Sequence, residues 1–171
     1  MPIFTPIPQG EFVAAVHTLA AQLTADTWKP DFIIGVGRGG LVPAVFLSHA
    51  TGLPTLSVDY SSQVKDFADA PLVKLAERTI AGERLLFLDD INDSGRTITH
   101  LRRALVDAGA VDGSVRFAML IDNISSAERI DYSARRIDRT VTKDWFIFPW
   151  EAVAPAAAIE LDAAAVPDRI A

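Results

Sequence analysis

Two adjacent carboxylates close an apolar run in this chain, directly before a polar turn and a predicted helix. The run covers residues 84–97, RLLFLDDINDSGRT, and its acids are Asp89, Asp90 and Asp93. The start of a helix offers unpaired backbone N–H groups and a partial positive charge. Acids and N–H groups at one spot suit a ligand that carries both a phosphate and a divalent cation.

The polar turn, residues 93–97, is itself a candidate phosphate site. We expect Ser94 or Asp93 to cap the helix. The helix dipole contributes only about 0.3–1 kcal/mol, so tight binding also needs the hydroxyls of Ser94 and Thr97. A capped helix without a ligand is the plain alternative, but it leaves the two carboxylates at a buried strand end unexplained, where unpaired charge is costly.

A glycine-rich turn lies earlier in the chain. The segment GVGRGG, residues 35–40, matches GxGxxG between a predicted strand and a predicted helix, and Asp59 ends the next strand. That pattern also occurs in dinucleotide-binding oxidoreductases, but Arg38 puts a bulky cation inside the turn and the chain is short for two domains. Glycines needed only for a tight turn are a second alternative. We favour a pyrophosphate site made by Arg38 and the N–H groups of Gly39 and Gly40.

Apolar segments of strand length alternate with segments of helical periodicity. The predicted strands are residues 31–36, 55–59, 85–88, 115–121 and 145–148, and the predicted helices are residues 9–25, 41–50 and about 96–108. Residues 60–71 are predicted to form a polar loop. The alternation predicts an α/β fold with a parallel β-sheet flanked by helices. In such folds ligands bind at the carboxyl ends of the strands, where both turns and the loop fall.

Length, charge and composition further restrict the class of protein to which this chain can belong. The 171 residues fit one domain with a core, and the net charge of -6 predicts no nucleic-acid or membrane partner. The absence of cysteine excludes disulfides and thiolate metal sites. The N-terminus does not have the pattern of a signal peptide, and no apolar run is long enough to span a bilayer. We therefore expect a cytoplasmic protein.

Three segments resemble one known family. LFLDDINDSGRT, residues 86–97, resembles the phosphoribosyl-pyrophosphate motif of the type I phosphoribosyltransferases, with serine in place of the usual threonine at position 94. GRGGLVP, residues 37–43, resembles their pyrophosphate loop. WFIFPWE, residues 145–151, resembles the base-stacking segment of the bacterial xanthine–guanine and hypoxanthine enzymes. The resemblance covers about residues 31–151.

The resemblance implies a fold and a reaction. The fold is Rossmann-like, with a core of about residues 31–121 and a small hood from about residues 1–30 and 122–171 of a single domain. The reaction transfers the 5-phosphoribosyl group from phosphoribosyl pyrophosphate to a free, purine-like base in nucleotide salvage, releases pyrophosphate and uses Mg²⁺. A homodimer or homotetramer is implied as well.

The resemblance also implies residue roles. Asp89 and Asp90 hold the ribose hydroxyls, directly or through Mg²⁺, and Asp93 is the catalytic group that manages a proton near N7 of the base. The resemblance further implies that the 5′-phosphate is bound by Asp93, Ser94, Gly95, Arg96 and Thr97, and pyrophosphate by Arg38, Gly39 and Gly40. It implies a lid formed by Tyr60, Ser61 and Ser62, stacking of the base on Trp145 and contact of its edge with the Phe146 backbone. Glu151 is implied to help bind a second metal.

One departure from the family concerns the base. The enzymes that act on 6-oxopurines carry a lysine after the fourth strand, which donates to the purine O6, but here that strand ends with Asp122 and Asn123. Ionised Asp122 cannot donate, whereas Asn123 can, and Lys143 lies near Trp145 in sequence. Three possibilities stay open. The protein recognises a purine through other residues, it uses a different nitrogenous acceptor, or it is a non-catalytic, regulatory protein that binds phosphoribosyl pyrophosphate.

The remaining candidates have plainer interpretations. The aromatic residues after position 144 are core in the alternative to base stacking. We predict structural roles for three histidines without metal-ligand spacing, His17, His49 and His100. We predict solvated faces or a subunit contact for four arginines, Arg102, Arg103, Arg135 and Arg136.

Overall fold

A computed structural model describes residues 3–60 and 69–165 of the chain. The strands are β1 (Ile3–Pro6), β2 (Phe32–Val36), β3 (Thr55–Val58), β4 (Leu85–Asn92), β5 (Val115–Asn123), β6 (Tyr132–Ile137) and β7 (Asp144–Ile147). The helices are α1 (Gln9–Ala25), α2 (Gly37–Thr51), α3 (Asp69–Ile80), α4 (Arg96–Asp107) and α5 (Ala156–Ala164), with a 3-10 turn at Pro149–Glu151. Among these described residues, none of the helices combines the length and the hydropathy that crossing a bilayer requires.

The main sheet has five parallel strands in the order β3-β2-β4-β5-β6. The chain runs from β2 outward to β3 at one edge of the sheet, and from β4 outward through β5 to β6 at the other edge. The carboxyl ends of the neighbouring strands β2 and β4 therefore flank the topological switch point, the usual ligand crevice of an open parallel sheet. The predicted α/β class with a parallel, helix-flanked sheet is confirmed.

Helices cover both faces of this sheet, and β4 shows why its sequence is an unbroken apolar run. Leu86 and Leu88 pack in a cluster with Phe12 of α1, whereas Leu85 and Phe87 pack in a second cluster on the opposite face, toward α3 and α4. Successive side chains of a strand point to opposite faces. A strand that is buried on both faces needs apolar residues at every position.

A second, two-stranded sheet pairs β1 with β7 in parallel, with Phe4 opposite Trp145. The predicted hood is smaller than expected. Helix α1, which we assigned to the hood, packs its buried residues on the main sheet, because an apolar helix face must be covered. Strand β6 also belongs to the main sheet, so the core extends beyond residues 31–121 on both sides.

Several element boundaries differ from the predicted ones. Strand β4 continues to Asn92 because it pairs with β5 as far as Asp122, so Asp89 and Asp90 lie inside the strand and not beyond it. Helix α2 begins at Gly37, four residues early, so the glycine turn is the first helical turn. Helix α3 begins at Asp69 inside the predicted loop, and β1, α3, β6 and α5 were not predicted.

The tight contact between α2 and β4 generates a first prediction. A Cβ atom at position 40 would lie 2.2 Å from the Leu88 carbonyl oxygen, whereas one at Gly10 of α1 would meet nothing within 4 Å. We expect Gly40→Ala to lower the free energy of unfolding by about 1–3 kcal/mol, the usual cost of overpacking. The control Gly10→Ala should raise it by about 0.5–1 kcal/mol. Urea denaturation of both variants measures this, and equal stabilities would contradict the contact.

Candidate active site

The first turn of α2 lies directly against the two carboxylates of β4. A Cβ atom at Gly39 would stand 2.5 Å from Oδ2 of Asp90 and 2.8 Å from Oδ1 of Asp89. Real Cβ atoms do not approach other atoms so closely, so any larger residue at position 39 would displace these two carboxylates. The helix N-terminus, with its partial positive charge, and two acidic side chains therefore share the crevice between β2 and β4.

The other glycines of the GxGxxG pattern are required by contacts within the chain. Gly37 has φ +53° and its Cβ would lie 2.4 Å from the Tyr60 carbonyl oxygen. A Cβ at Gly35 would lie 3.0 Å from the Cβ of Ala44. Because the positive φ of Gly37, its contact with Tyr60 and the packing of Gly35 against α2 account for these positions, the pattern does not require a dinucleotide. Arg38 points outward, with its side chain 89% exposed.

The second turn differs from its predicted form. Helix α4 begins at Arg96 and its N-cap is Gly95, with φ 87° and no side-chain cap. The expectation that Ser94 or Asp93 would cap the helix is therefore wrong. A Cβ at position 95 would lie 2.9 Å from the backbone nitrogen of Glu128, so packing selects glycine. The first N–H groups of a helix lack intrahelical acceptors, and this start suits an anion.

The carboxylate of Asp93 is held by a residue that sequence reasoning missed. Nε of Arg139 donates to Oδ1 of Asp93 and Nη2 donates to Oδ2, both at 3.0 Å. Nη1 of the same guanidinium donates to the carbonyl oxygens of Thr142 and Asp144. Its centre lies 5.4 Å from the ring centroid of Phe146. No local pattern marks position 139, because it is 46 residues away from position 93 in sequence.

This ion pair is almost fully desolvated. The side chains of Arg139 and Asp93 are 9% and 4% exposed. Burial makes each charge dependent on the other, since removal of one partner leaves an uncompensated buried charge. The forked, two-bond geometry also fixes the orientation of the carboxylate.

Asn123, the predicted donor to the base, braces this pair. Its Nδ2 donates to the Asp93 carbonyl oxygen at 2.8 Å, and its Oδ1 accepts from the Arg139 backbone N–H at 3.1 Å. Asp122, at the position of the family's lysine, accepts at 2.8 Å from the Asn92 amide. Both side chains are 5% exposed and serve the internal network, so we withdraw Asn123 as a base reader.

The aromatic segment has two roles. Phe148 and Trp150 stack at 4.8 Å, and Trp150 meets Phe12 edge-on at 5.4 Å, so these rings are core. Phe146 is buried beneath Arg139. Trp145 alternates to the opposite face of β7 and stays half-exposed, which leaves its ring face as the candidate surface for stacking a base.

Glu151 is poorly suited to a metal. Its Oε2 accepts the Phe148 N–H at 2.8 Å. Burial raises the pKa of Glu151, with the Phe148 N–H and the charge of Arg38 opposing that rise, so the site disfavours the charged form. Among the described residues, no three acidic or histidine side chains form a metal-sized group.

Asp89 and Asp90 fit Mg²⁺ better. Mg²⁺ is usually bound by one or two carboxylates and by substrate phosphates, and it keeps several waters. The two carboxylates converge on the space beside Gly39 that a Cβ would fill. These two residues would hold the ion, which would neutralise charge on a phosphorylated ligand.

The other candidates have defined surroundings. The ring of Tyr60 lies 4.9 Å from that of His100, while Ser61 and Ser62 of the predicted lid lie outside the described residues. Arg102 is not simply solvated, because it pairs with Glu128 and covers the ring of Phe117 at 5.1 Å. The remaining positions are exposed or half-exposed, and they are His17, His49, Arg96, Thr97, Arg103, Arg135, Arg136 and Lys143.

The fold and the site together define an α/β protein with a crevice suited to a phosphorylated ligand at the switch point of a parallel sheet. The sequence model of one protein family, the phosphoribosyl transferase domain, matches residues 8–155 of this chain. The chain belongs to this family and is a phosphoribosyltransferase, an enzyme that transfers the phosphoribosyl group of phosphoribosyl pyrophosphate to a nitrogenous base. Neither a dinucleotide-binding oxidoreductase nor a regulatory protein is favoured.

Relatives and solved structures agree with this placement. The chain is 30% identical over 136 residues to the xanthine-guanine phosphoribosyltransferase of Idiomarina loihiensis, covering 76% of this chain and 75% of the relative. A purine phosphoribosyltransferase from Pyrococcus horikoshii is 27% identical, with a TM-score of 0.64 and 88% and 96% of the chains covered. The Helicobacter pylori xanthine-guanine-hypoxanthine enzyme shares the fold at 19% identity, with a TM-score of 0.66 and 94% and 99% covered.

The buried pair generates a second prediction. Arg139→Met should lower the free energy of unfolding by about 3–5 kcal/mol, because it leaves Asp93 charged and without its partner in the core. The control Arg103→Met removes an exposed pair with Asp107, at 3.8 Å, and should cost about 0–1 kcal/mol. Urea unfolding compares the two variants. A loss below 1 kcal/mol in Arg139→Met would show that the pair is not buried in solution.

Proposed function

We propose that this enzyme transfers the 5-phosphoribosyl group to a purine base with Mg²⁺ and releases pyrophosphate, as in nucleotide salvage. The observation that carries the proposal is the contact between Gly39 and the carboxylates of Asp89 and Asp90 at the switch point. It brings a helix N-terminus against two acids, and the start of α4 follows the second acid by six residues in sequence. The names of the relatives support a purine acceptor.

The ribose and the phosphates would occupy the crevice side by side. Asp89 and Asp90 would bind the ribose hydroxyls, directly or through Mg²⁺. The turn at residues 93–97 would bind the 5′-phosphate with backbone N–H groups and with the Ser94 and Thr97 hydroxyls. The first turn of α2 would bind pyrophosphate through the N–H groups of residues 39 and 40. Arg38, whose side chain is 89% exposed, would exchange its 4.0 Å contact with Asp162 for that group.

The chemistry needs stabilisation of a sugar cation. As the C1–O bond to pyrophosphate breaks, C1 gains oxocarbenium character, as in glycoside cleavage, and the base nitrogen N9 forms the new bond. The base must lose one proton, which would pass from N7 to the Asp93 carboxylate. Water would capture the cation, so a lid over the site is useful, and Tyr60, Ser61 and Ser62 stay its predicted residues.

The base would lie between the half-exposed face of Trp145 and the end of β4. The backbone of Phe146 would meet the edge of the base. Location in the cytoplasm and assembly as a homodimer or homotetramer stay predictions. A panel of free purines and pyrimidines, assayed for pyrophosphate release with and without Mg²⁺, tests the function. Release with at least one purine, dependent on Mg²⁺, is expected, whereas tight binding of phosphoribosyl pyrophosphate without turnover on any base would favour a regulatory protein instead.

The proton-transfer role yields a third prediction. Asp93→Asn keeps the shape of the side chain that Arg139 holds but removes its basicity. Turnover should fall about 10²–10⁴-fold, while calorimetry should still detect phosphoribosyl pyrophosphate. Asp107→Asn, an exposed change on α4, is the control. Near-normal turnover in Asp93→Asn would refute the assigned role.

The metal site yields a fourth prediction. Asp89→Asn and Asp90→Asn should each raise the Mg²⁺ concentration for half-maximal activity, by about 10–100-fold, the effect typical of losing a supporting group at a metal site. The variant Glu151→Gln should leave that concentration within about threefold, because its carboxylate accepts a backbone N–H. Mg²⁺ titration of pyrophosphate release measures all three. A larger shift in Glu151→Gln would restore that residue as a ligand.

A further inference from the structure

The guanidinium of Arg139 has one N–H group left after its contacts with the protein. Of its five N–H donors, two bind Asp93 and two bind the carbonyl oxygens of Thr142 and Asp144, counting the described residues alone. The fifth is the second hydrogen of Nη2. Because Nη2 lies 3.0 Å from Oδ2 of Asp93, a donor and an acceptor stand side by side.

That arrangement matches one kind of base edge. A 6-oxopurine presents a ring N–H at N7 next to the exocyclic oxygen O6, which is a donor beside an acceptor. Adenine presents a ring N–H beside an amino group, which is a donor beside a donor. The carboxylate of Asp93 has about four lone-pair sites, of which the bonds from Arg139 use two, and the ring N–H of a base would take one of the others.

We propose that the Asp93–Arg139 pair reads the edge of a 6-oxopurine, with Asp93 accepting from the ring N–H and Nη2 of Arg139 donating to O6. This inference rests on the proposed function and names its substrate class. It assigns to Arg139, which lies after β6, the donor role that Asp122 cannot fill. Asn123 does not compete for the role, since its amide is bound to Asp93 and to the Arg139 backbone.

Fixed geometry gives the pair its selectivity. The carbonyl contacts and the ring of Phe146 hold the guanidinium, so Arg139 cannot turn away when an amino group approaches. Adenine would then leave the Nη2 donor facing another donor in a desolvated site. Sites built to hydrogen-bond one substrate group reject analogues without it strongly, because their own polar groups stay unpaired.

The first measurement uses the unmodified enzyme. We compare kcat/KM for hypoxanthine, adenine and unsubstituted purine by pyrophosphate release, and binding of the three bases by calorimetry in the presence of pyrophosphate and Mg²⁺. Hypoxanthine should exceed adenine by at least about 100-fold, with unsubstituted purine between them. Equal use or equal binding of hypoxanthine and adenine overturns the inference.

The second measurement replaces Arg139, the proposed donor to O6. Arg139→Gln carries an amide that can donate to Asp93 and accept from an amino group. The ratio of kcat/KM for hypoxanthine to that for adenine should fall by at least about tenfold. Arg116→Gln is the matched control, since Arg116 also pairs with an aspartate, Asp26, at 2.7 Å, but at the amino-terminal end of β5; it should keep the wild-type ratio.

The outcomes separate structure from recognition. If Arg139 only supports the fold, Arg139→Gln lowers activity on both bases by the same factor, and the ratio is unchanged. If that variant does not fold, Arg139→Lys retains a charged donor and should keep the preference for hypoxanthine at reduced kcat/KM; an equal preference for both bases would overturn the inference. Failure of the proposed function looks different, because no base would then release pyrophosphate, and the calorimetric comparison would still decide the inference.

Discussion

Backbone contact between the start of α2 and the end of β4 sets the geometry of the whole site. Gly39 and Gly40 have no Cβ, so a helix N-terminus can lie against the Leu88 carbonyl oxygen and the carboxylates of Asp89 and Asp90. A packed helix and a buried strand usually leave no room for a ligand, but the missing side chains of these glycines leave a crevice between them. That crevice has positive backbone charge on one wall and negative side-chain charge on the other, as a metal-bound phosphate ester requires.

The charged groups of the candidate site differ in how firmly the protein holds them. Asp93 and Arg139 are buried, bonded to each other and braced by Asn123, so their orientation costs no reorganisation when a substrate arrives. Arg38 is 89% exposed and its ion pair with Asp162 is long, at 4.0 Å, so its side chain is held only weakly. In the proposed reaction, a firmly held pair at the base and a movable cation at the pyrophosphate would each suit their task.

The motif-bearing half of the site was predictable because its signals are local. An apolar run followed by acids, and glycines between a strand and a helix, need only a dozen residues to be recognised. Gly95 replaced the expected cap because Glu128, far along the chain, packs against it. Arg139 escaped prediction for the same reason, since its partner is 46 residues away. Strand β6 has mixed composition because it is an edge strand, where one side meets solvent.

The small β1–β7 sheet has a consequence for the order in which the site assembles. The Thr5 hydroxyl donates to the Asp144 carboxylate across 139 residues of sequence, so this sheet joins distant parts of the chain. Contacts that close long loops form late, since their entropy must be offset first. The crevice for the phosphates uses neighbouring strands and can form early, whereas the wall that carries Trp145 depends on that last closure. During folding, the crevice proposed to bind the phosphates would therefore form before the wall proposed to contact the base.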